Sequence, residues 1–90
     1  MALKYRELER WVKGFANHTR IRILEHLEAN PELSVQEIAT GLRLHFKTAS
    51  QHIQKLAIAG LVMKRSDGTS IRHRLTKRGV SILKFLRIIE

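Results

Sequence analysis

The stretch Ser34–Gly60, SVQEIATGLRLHFKTASQHIQKLAIAG, decides the fold. Ser34-Val35-Gln36-Glu37 has the form of a capping box, in which the serine oxygen accepts a backbone N–H and the glutamate reaches back to the cap. It predicts a short helix over 35–40, with Val35, Ile38 and Ala39 apolar and Gly41 as a left-handed stop. Leu42-Arg43-Leu44 reads as a tight turn. A longer helix is then predicted over 46–59, closed by Gly60. With successive residues 100° apart, Ala49, Ile53, Leu56, Ala57, Gly60 and Phe46 fall within one arc of about 100°. Lys47, Thr48, Gln51, Gln54 and Lys55 lie on the far side, with no acid among them. An ordinary surface helix mixes both signs of charge. This face has the makeup of one meant for phosphates and base edges.

Downstream, residues 61–75 read as a hairpin. Asp67-Gly68 is a strong two-residue turn signal. Period two sends Ile71 and Leu75 inward and Arg72 and Arg74 outward, with Lys64 and Arg65 on the facing strand. Thr76 caps a last helix over 77–89. Upstream, Leu8, Trp11, Val12 and Phe15 form one stripe of a helix predicted over 3–15. Asn17 N-caps a second helix over 18–29, with Ile21, Leu24 and Leu27 inward. Asn30-Pro31 ends it, because the residue before proline avoids the helical region.

The charge follows the same division. Ninety residues carry 17 Lys plus Arg against 8 Asp plus Glu, a net charge of +9. Residues 1–32 hold six basic and five acidic groups, whereas residues 33–90 hold eleven and three. Between Arg43 and Arg78 there are nine basic residues and one acid, Asp67. That asymmetry points to a polyanion partner.

The predicted order is helix, helix, short helix, turn, polar-faced helix, hairpin, helix. This is a mostly α single domain with a small β-hairpin, in the order of a winged helix-turn-helix. A major groove about 12 Å wide admits one such helix. The hairpin then reaches the adjacent backbone or minor groove, where Lys64, Arg65, Arg72 and Arg74 would neutralise phosphates.

The same residues resemble a family. Phe15-Ala-Asn-His-Thr-Arg-Ile-Arg-Ile-Leu24 is similar to the opening of small arsenical-resistance-type (ArsR-like) repressors. Leu33-Ser-Val-Gln-Glu-Ile-Ala39 resembles their first motif helix. Lys47-Thr-Ala-Ser-Gln-His-Ile-Gln-Lys-Leu56 resembles the recognition helix, and Ala59-Gly-Leu-Val62 the entry to the wing. Leu75-Thr-Lys-Arg-Gly79 is similar to multiple-antibiotic-resistance-type (MarR-like) regulators. The resemblance implies base or phosphate contacts from Lys47, Thr48, Ser50, Gln51 and His52, with Lys55 on the same polar face. It also implies wing contacts from the strand of Arg72 and Arg74. Two positions depart from the pattern. Phe46 stands where a polar residue is common, and the wheel predicts packing rather than contact with a thymine methyl. His73 stands where an aromatic often packs under the wing, and reads as a packed residue rather than a ligand.

The last helix is too apolar to dock on one core. Ile82, Leu83, Phe85, Leu86 and Ile89 span about 160°, beyond the roughly 100° stripe that suffices. With the first helix it suggests a homodimer interface, although the two could instead bury each other within one chain. Metal sensing does not carry over from the family: the chain has no Cys, and residues 77–89 hold neither His nor Asp. His45 and His52, or His18 and His26, lack a third ligand nearby. No cofactor or metal is expected. No nucleophile elbow, phosphate-binding glycine loop or zinc-protease motif is present, so an enzyme is not expected. The longest apolar run, Leu56–Met63, is far short of the roughly 20 residues a membrane span needs. No signal-peptide core opens the chain. A soluble cytoplasmic regulator, binding double-stranded DNA as a homodimer, is the leading expectation. A winged-helix protein–protein adaptor and a non-specific nucleic-acid binder are the alternatives.

Overall fold

A computed structural model describes residues 3–90. Five helices and one hairpin follow in the order α1 (Tyr5–Phe15), α2 (His18–Ala29), α3 (Val35–Leu42), α4 (Phe46–Ile58), β1 (Val62–Asp67), β2 (Ser70–Leu75) and α5 (Lys77–Ile89). The caps form where the residue types predict them. Asn17 Oδ1 accepts from the N–H of Thr19 and Arg20. Ser34 and Glu37 complete the reciprocal capping box. Thr76 Oγ1 accepts from Gly79 N–H at 3.1 Å and donates to Gly60 O at 2.7 Å.

The core lies where α2, α3 and α4 meet. Ile23, Leu24, Leu27, Ile38, Ile53, Leu56 and Leu61 are fully buried there. Ala49 and Ala39 let the helices approach, and Leu83 of α5 closes one side. α1 packs on α2 and α4 through its C-terminal end, Gly14 and Phe15. Its expected stripe is only partly covered: Trp11 is half-buried and Val12 exposed.

Two turns differ from the reading of the sequence. α3 does not stop at Gly41 but runs through Leu42, and Arg43 adopts the left-handed conformation at φ 57°. Gly41 serves packing instead. A Cβ there would sit 2.7 Å from the His26 ring Nε2, so a larger residue would require that ring to shift. In the hairpin the loop is Gly68-Thr69, not Asp67-Gly68, because Asp67 still pairs with Ser70. Positive φ falls on Gly68, the first central residue, as in a type II′ turn.

The hairpin is tied to the body by a short extra pairing. Leu33 bridges His73, with Glu32 N–H donating to His73 O at 3.0 Å and His73 N–H to Leu33 O at 2.8 Å. The buried His73 ring adds a third bond, its Nδ1–H donating to the Leu33 carbonyl at 2.9 Å. His73 is therefore a packed residue, as expected. Leu75 is half-buried, but Ile71, expected inward, is 50% exposed. It pairs with Ser66 near the hairpin tip, beyond the reach of the helical core.

Gly79 meets the backbone of Leu61 so closely that an added Cβ would collide with the Leu61 carbonyl oxygen, which already accepts from Thr76 N–H at 3.1 Å. Backbone cannot swing aside as a flexible side chain can. Gly79→Ala should lower stability by about 1–3 kcal/mol, as overpacking does. Urea unfolding is the measurement, and Ser81→Ala, exposed two residues on, should stay within about 0.5 kcal/mol of the parent chain.

Candidate nucleic-acid interface

Burial of Ala49, Ile53 and Leu56 sets the rotation of α4 about its own axis. The opposite arc then faces out: Lys47, Thr48, Gln51, Gln54 and Lys55 are all exposed. Ser50 and His52 flank it, half-buried. No acid lies on α4, and among the described residues no carboxylate pairs with Lys47 or Lys55. The residues expected to form one polar face therefore do share one.

Phe46 departs from its expected place. It is 54% exposed rather than packed, although its wheel angle matches that of buried Ile53. The reason lies in side-chain direction. Helical Cα–Cβ bonds lean toward the N-terminus, so a side chain covers the turn before its own Cα. Phe46 is the first residue of α4 and has no preceding turn to cover.

The wing cations fall into two classes. Arg72 donates to Glu37 Oε1 at 2.8 Å, to Asp67 Oδ2 at 3.3 Å and to the Glu32 carbonyl at 3.3 Å. Arg65 pairs with Glu32 at 3.3 Å. These two arginines brace the hairpin against the α2–α3 loop and α3. Lys64 and Arg74 are exposed and, among the described residues, carry no acidic partner; Arg74 Nε rests on Met63 Sδ at 3.0 Å. Period two alone treats Arg72 and Arg74 alike, and only the fold brings Glu37 up to Arg72.

A further cation was not singled out by sequence reasoning. Arg20 of α2 donates from Nε to His52 Nδ1 at 3.0 Å and from Nη1 to the carbonyls of Lys13 and Gly14 at 3.2 and 3.3 Å. It thus joins α2, α4 and the end of α1. Beside it, hollows of about 380 and 280 Å³ share Arg20, Lys55 and Ile58, and the second also takes in Arg10 and Lys13. The basic surface continues from α4 onto α1. His52 is 32 residues from Arg20 in sequence, so no local signal announces that bond.

Several apolar side chains of the terminal helices are exposed. Phe85, Ile88 and Ile89 of α5 are 50–81% exposed, as are Leu3, Tyr5 and Val12 at the other end of the chain. Helices α1 and α5 do not bury each other's stripes. Arg78 of α5 stacks 3.8 Å over the Trp11 ring of α1. A hollow of about 220 Å³ lies beside α5, lined by Ile21, Leu83 and Leu86 with Glu25, Arg87 and Glu90 at its edge. No helix of the described residues is long and apolar enough to cross a membrane.

Comparison with known proteins agrees with this geometry. Residues 15–65 match the family described as the helix-turn-helix domain. The chain is 42% identical over 65 residues to the HTH-type transcriptional regulator KmtR of Mycobacterium tuberculosis, covering 72% of this chain and 49% of that one. It thus spans about half the length of that relative. It is 35% identical over 66 residues to the HTH-type transcriptional regulator MJ1325 of Methanocaldococcus jannaschii, covering 73% of this chain and 74% of the relative. Among solved structures it superposes on the homodimeric winged helix-turn-helix DNA-binding domain of Mb0332 from Mycobacterium bovis, described as a possible ArsR-family transcriptional regulator. The TM-score is 0.84 at 31% identity, covering 94% of this chain and 79% of that domain.

Two histidines tie this surface to pH. Burial pushes the His73 imidazole below its usual value, and Lys64 adds to the shift against the opposing effect of the Leu33 carbonyl. Burial likewise lowers His52, helped by Arg20, Lys55 and His18. A lowered histidine means the unfolded chain binds protons that the native one refuses. Its stabilising effect is therefore complete above about 6.5 and is lost as pH falls toward the folded value. Glu28 and Glu37 are also lowered, the first by Arg87 and the second by Ser34, so their effect is lost only below the ordinary carboxylate range. Urea midpoints should accordingly fall between pH 7 and 5, and His73→Gln should flatten that dependence. An unchanged slope in the variant would remove His73 from the account.

Proposed function

Because this chain belongs to the helix-turn-helix domain family, with ArsR-like winged-helix regulators among its relatives, we propose that it is a sequence-specific DNA-binding transcriptional regulator acting as a homodimer. The observation that carries this reading is the acid-free exposed arc of α4 together with two wing cations, Lys64 and Arg74, that have no acidic partner among the described residues. In this reading α4 enters the major groove. Lys47 and Lys55 hold phosphates, while Thr48, Ser50, Gln51 and His52 face base edges or the backbone beside them. Gln51, exposed at the centre of the arc, has an amide suited to the N6 and N7 edge of adenine. The wing lies on the flanking backbone or in the minor groove, with Lys64 and Arg74 as direct phosphate contacts. Arg65 and Arg72 hold the hairpin at the angle that makes this possible.

The second copy supports the reading of the apolar side. Phe85, Ile88 and Ile89 continue from the half-buried Ile82 and Leu86, so covering them would extend an existing core. A ninety-residue chain buries only about 60–65% of its unfolded surface, and a second copy relieves that deficit. The dimer would place two α4 helices on half-sites about one turn, roughly 34 Å, apart.

Light scattering on the eluting peak should return twice the 10.4 kDa chain mass, and Ile88→Glu should return it to the monomer value. A monomeric parent chain that adheres to other proteins would instead favour an adaptor role. On a selected duplex, Gln51→Ala should cost about 1–3 kcal/mol and relax sequence preference at one position. Arg74→Ala should weaken all duplexes alike and reduce the salt slope by about one. If both variants behave alike, the division between reading and anchoring is wrong. If cognate and random duplexes compete equally against the parent chain, it binds without sequence preference.

A further inference from the structure

The exposed ring of Phe46 has no task within the fold. It is the first residue of α4, 54% exposed, and its neighbours Arg43, His45, Lys47 and Thr48 are exposed and polar. An aromatic ring in such a setting is covered when the polar surface around it is covered. Under the proposed function, on which this inference rests, that cover is a DNA major groove. The N-terminal residues of a recognition helix are the ones that reach base edges. In the major groove the base-pair edges offer one distinctive apolar group, the thymine C5-methyl, and phenylalanine is one of the side chains that meet it.

We infer that Phe46 is a specificity-determining residue that reads a thymine methyl in each half-site. The cations beside it fit this occupant better than a protein partner. Lys47 and Arg43 flank the ring in sequence, and neither has an acidic partner among the described residues, so a polyanion approaching them brings its bases to the ring. The contact is orthogonal to charge. It releases no counterion and would appear only as a base preference.

The experiment uses duplexes selected by the parent chain from a randomised library. Each thymine of the selected site is replaced in turn by deoxyuridine, which lacks only the C5-methyl. One symmetry-related pair of positions should weaken parent binding about fourfold per half-site, the value for one buried methyl-sized group. Phe46→Ala should be insensitive to that replacement and Phe46→Leu should retain part of it, both with parent-like melting and salt slope. The inference is overturned if no thymine methyl matters, or if the penalty persists in Phe46→Ala. Selection of a defined sequence with either result leaves base readout by α4 standing and removes only Phe46. Failure to enrich any sequence would overturn both.

Discussion

The rotation of α4 about its own axis is the constraint on which the molecule depends. Three small or branched residues, Ala49, Ile53 and Leu56, are fully buried against α2 and α3. A turn of the helix by one residue would carry all three out of the core and bring Gln54 or Lys55 in. Burying an unpaired lysine costs far more than a helix this short can recover elsewhere. The polar arc is thus held outward by the apolar one, and the site inherits its precision from the core. Ile38 of α3 shares the buried core with Ile23 and Leu27 of α2, while Arg43 accepts the left-handed strain of roughly 1–2 kcal/mol.

The wing is held by different means. A two-stranded hairpin is marginal alone, and apart from Val62 the residues of β1 are exposed. Its anchorage comes from the Leu33–His73 bridge and from Arg72, which spans Glu37, Asp67 and the Glu32 carbonyl. These are polar contacts at a half-exposed surface, so the wing should be the less rigid half of the interface. The neutral, buried His73 ring stiffens its base by occupying a place where a charged group would be expelled. The capping glutamate of α3 is also the carboxylate that receives Arg72, so one residue ends a helix and braces the hairpin.

Much of this was legible in the sequence, because the signals were local. The caps at Asn17, Ser34 and Thr76, the bounds of α2 and α5 and the polar arc of α4 depend on residues within one or two turns of each other. What was misread depended on contacts distant in the chain or on element ends. The pattern places the stop of α3 at Gly41, whereas the helix runs one residue further and Arg43 takes the left-handed conformation. Ile71 was expected inward because period two assumes a core under the whole strand. Phe46 was placed on the buried arc because a wheel has no ends. Arg72 and Arg74 were equivalent by alternation until the fold supplied Glu37 to one of them. The winged order is unaffected, since it rests on the arrangement of elements, and the ArsR-like resemblance is unaffected, since it rests on runs of residues such as Phe15–Leu24 and Lys47–Leu56.

Helix α1 is tied directly to α4 and α5. Arg20 bonds to the last carbonyls of α1 and to His52 of α4, Gly14 packs directly on Ala59, and Arg78 stacks on Trp11. Three unlike interactions thus fix α1 against α4 and α5 where a single hinge could have stood. If α1 and α5 form the seam between two copies, the distance between the two α4 helices is set by packed contacts with no flexible segment between seam and site. Half-site spacing would then be a property of the fold. Any signal acting on such a regulator would have to shift α1 or α5 bodily to alter it. A shift of α1 would break the two bonds from Arg20 to the carbonyls of Lys13 and Gly14.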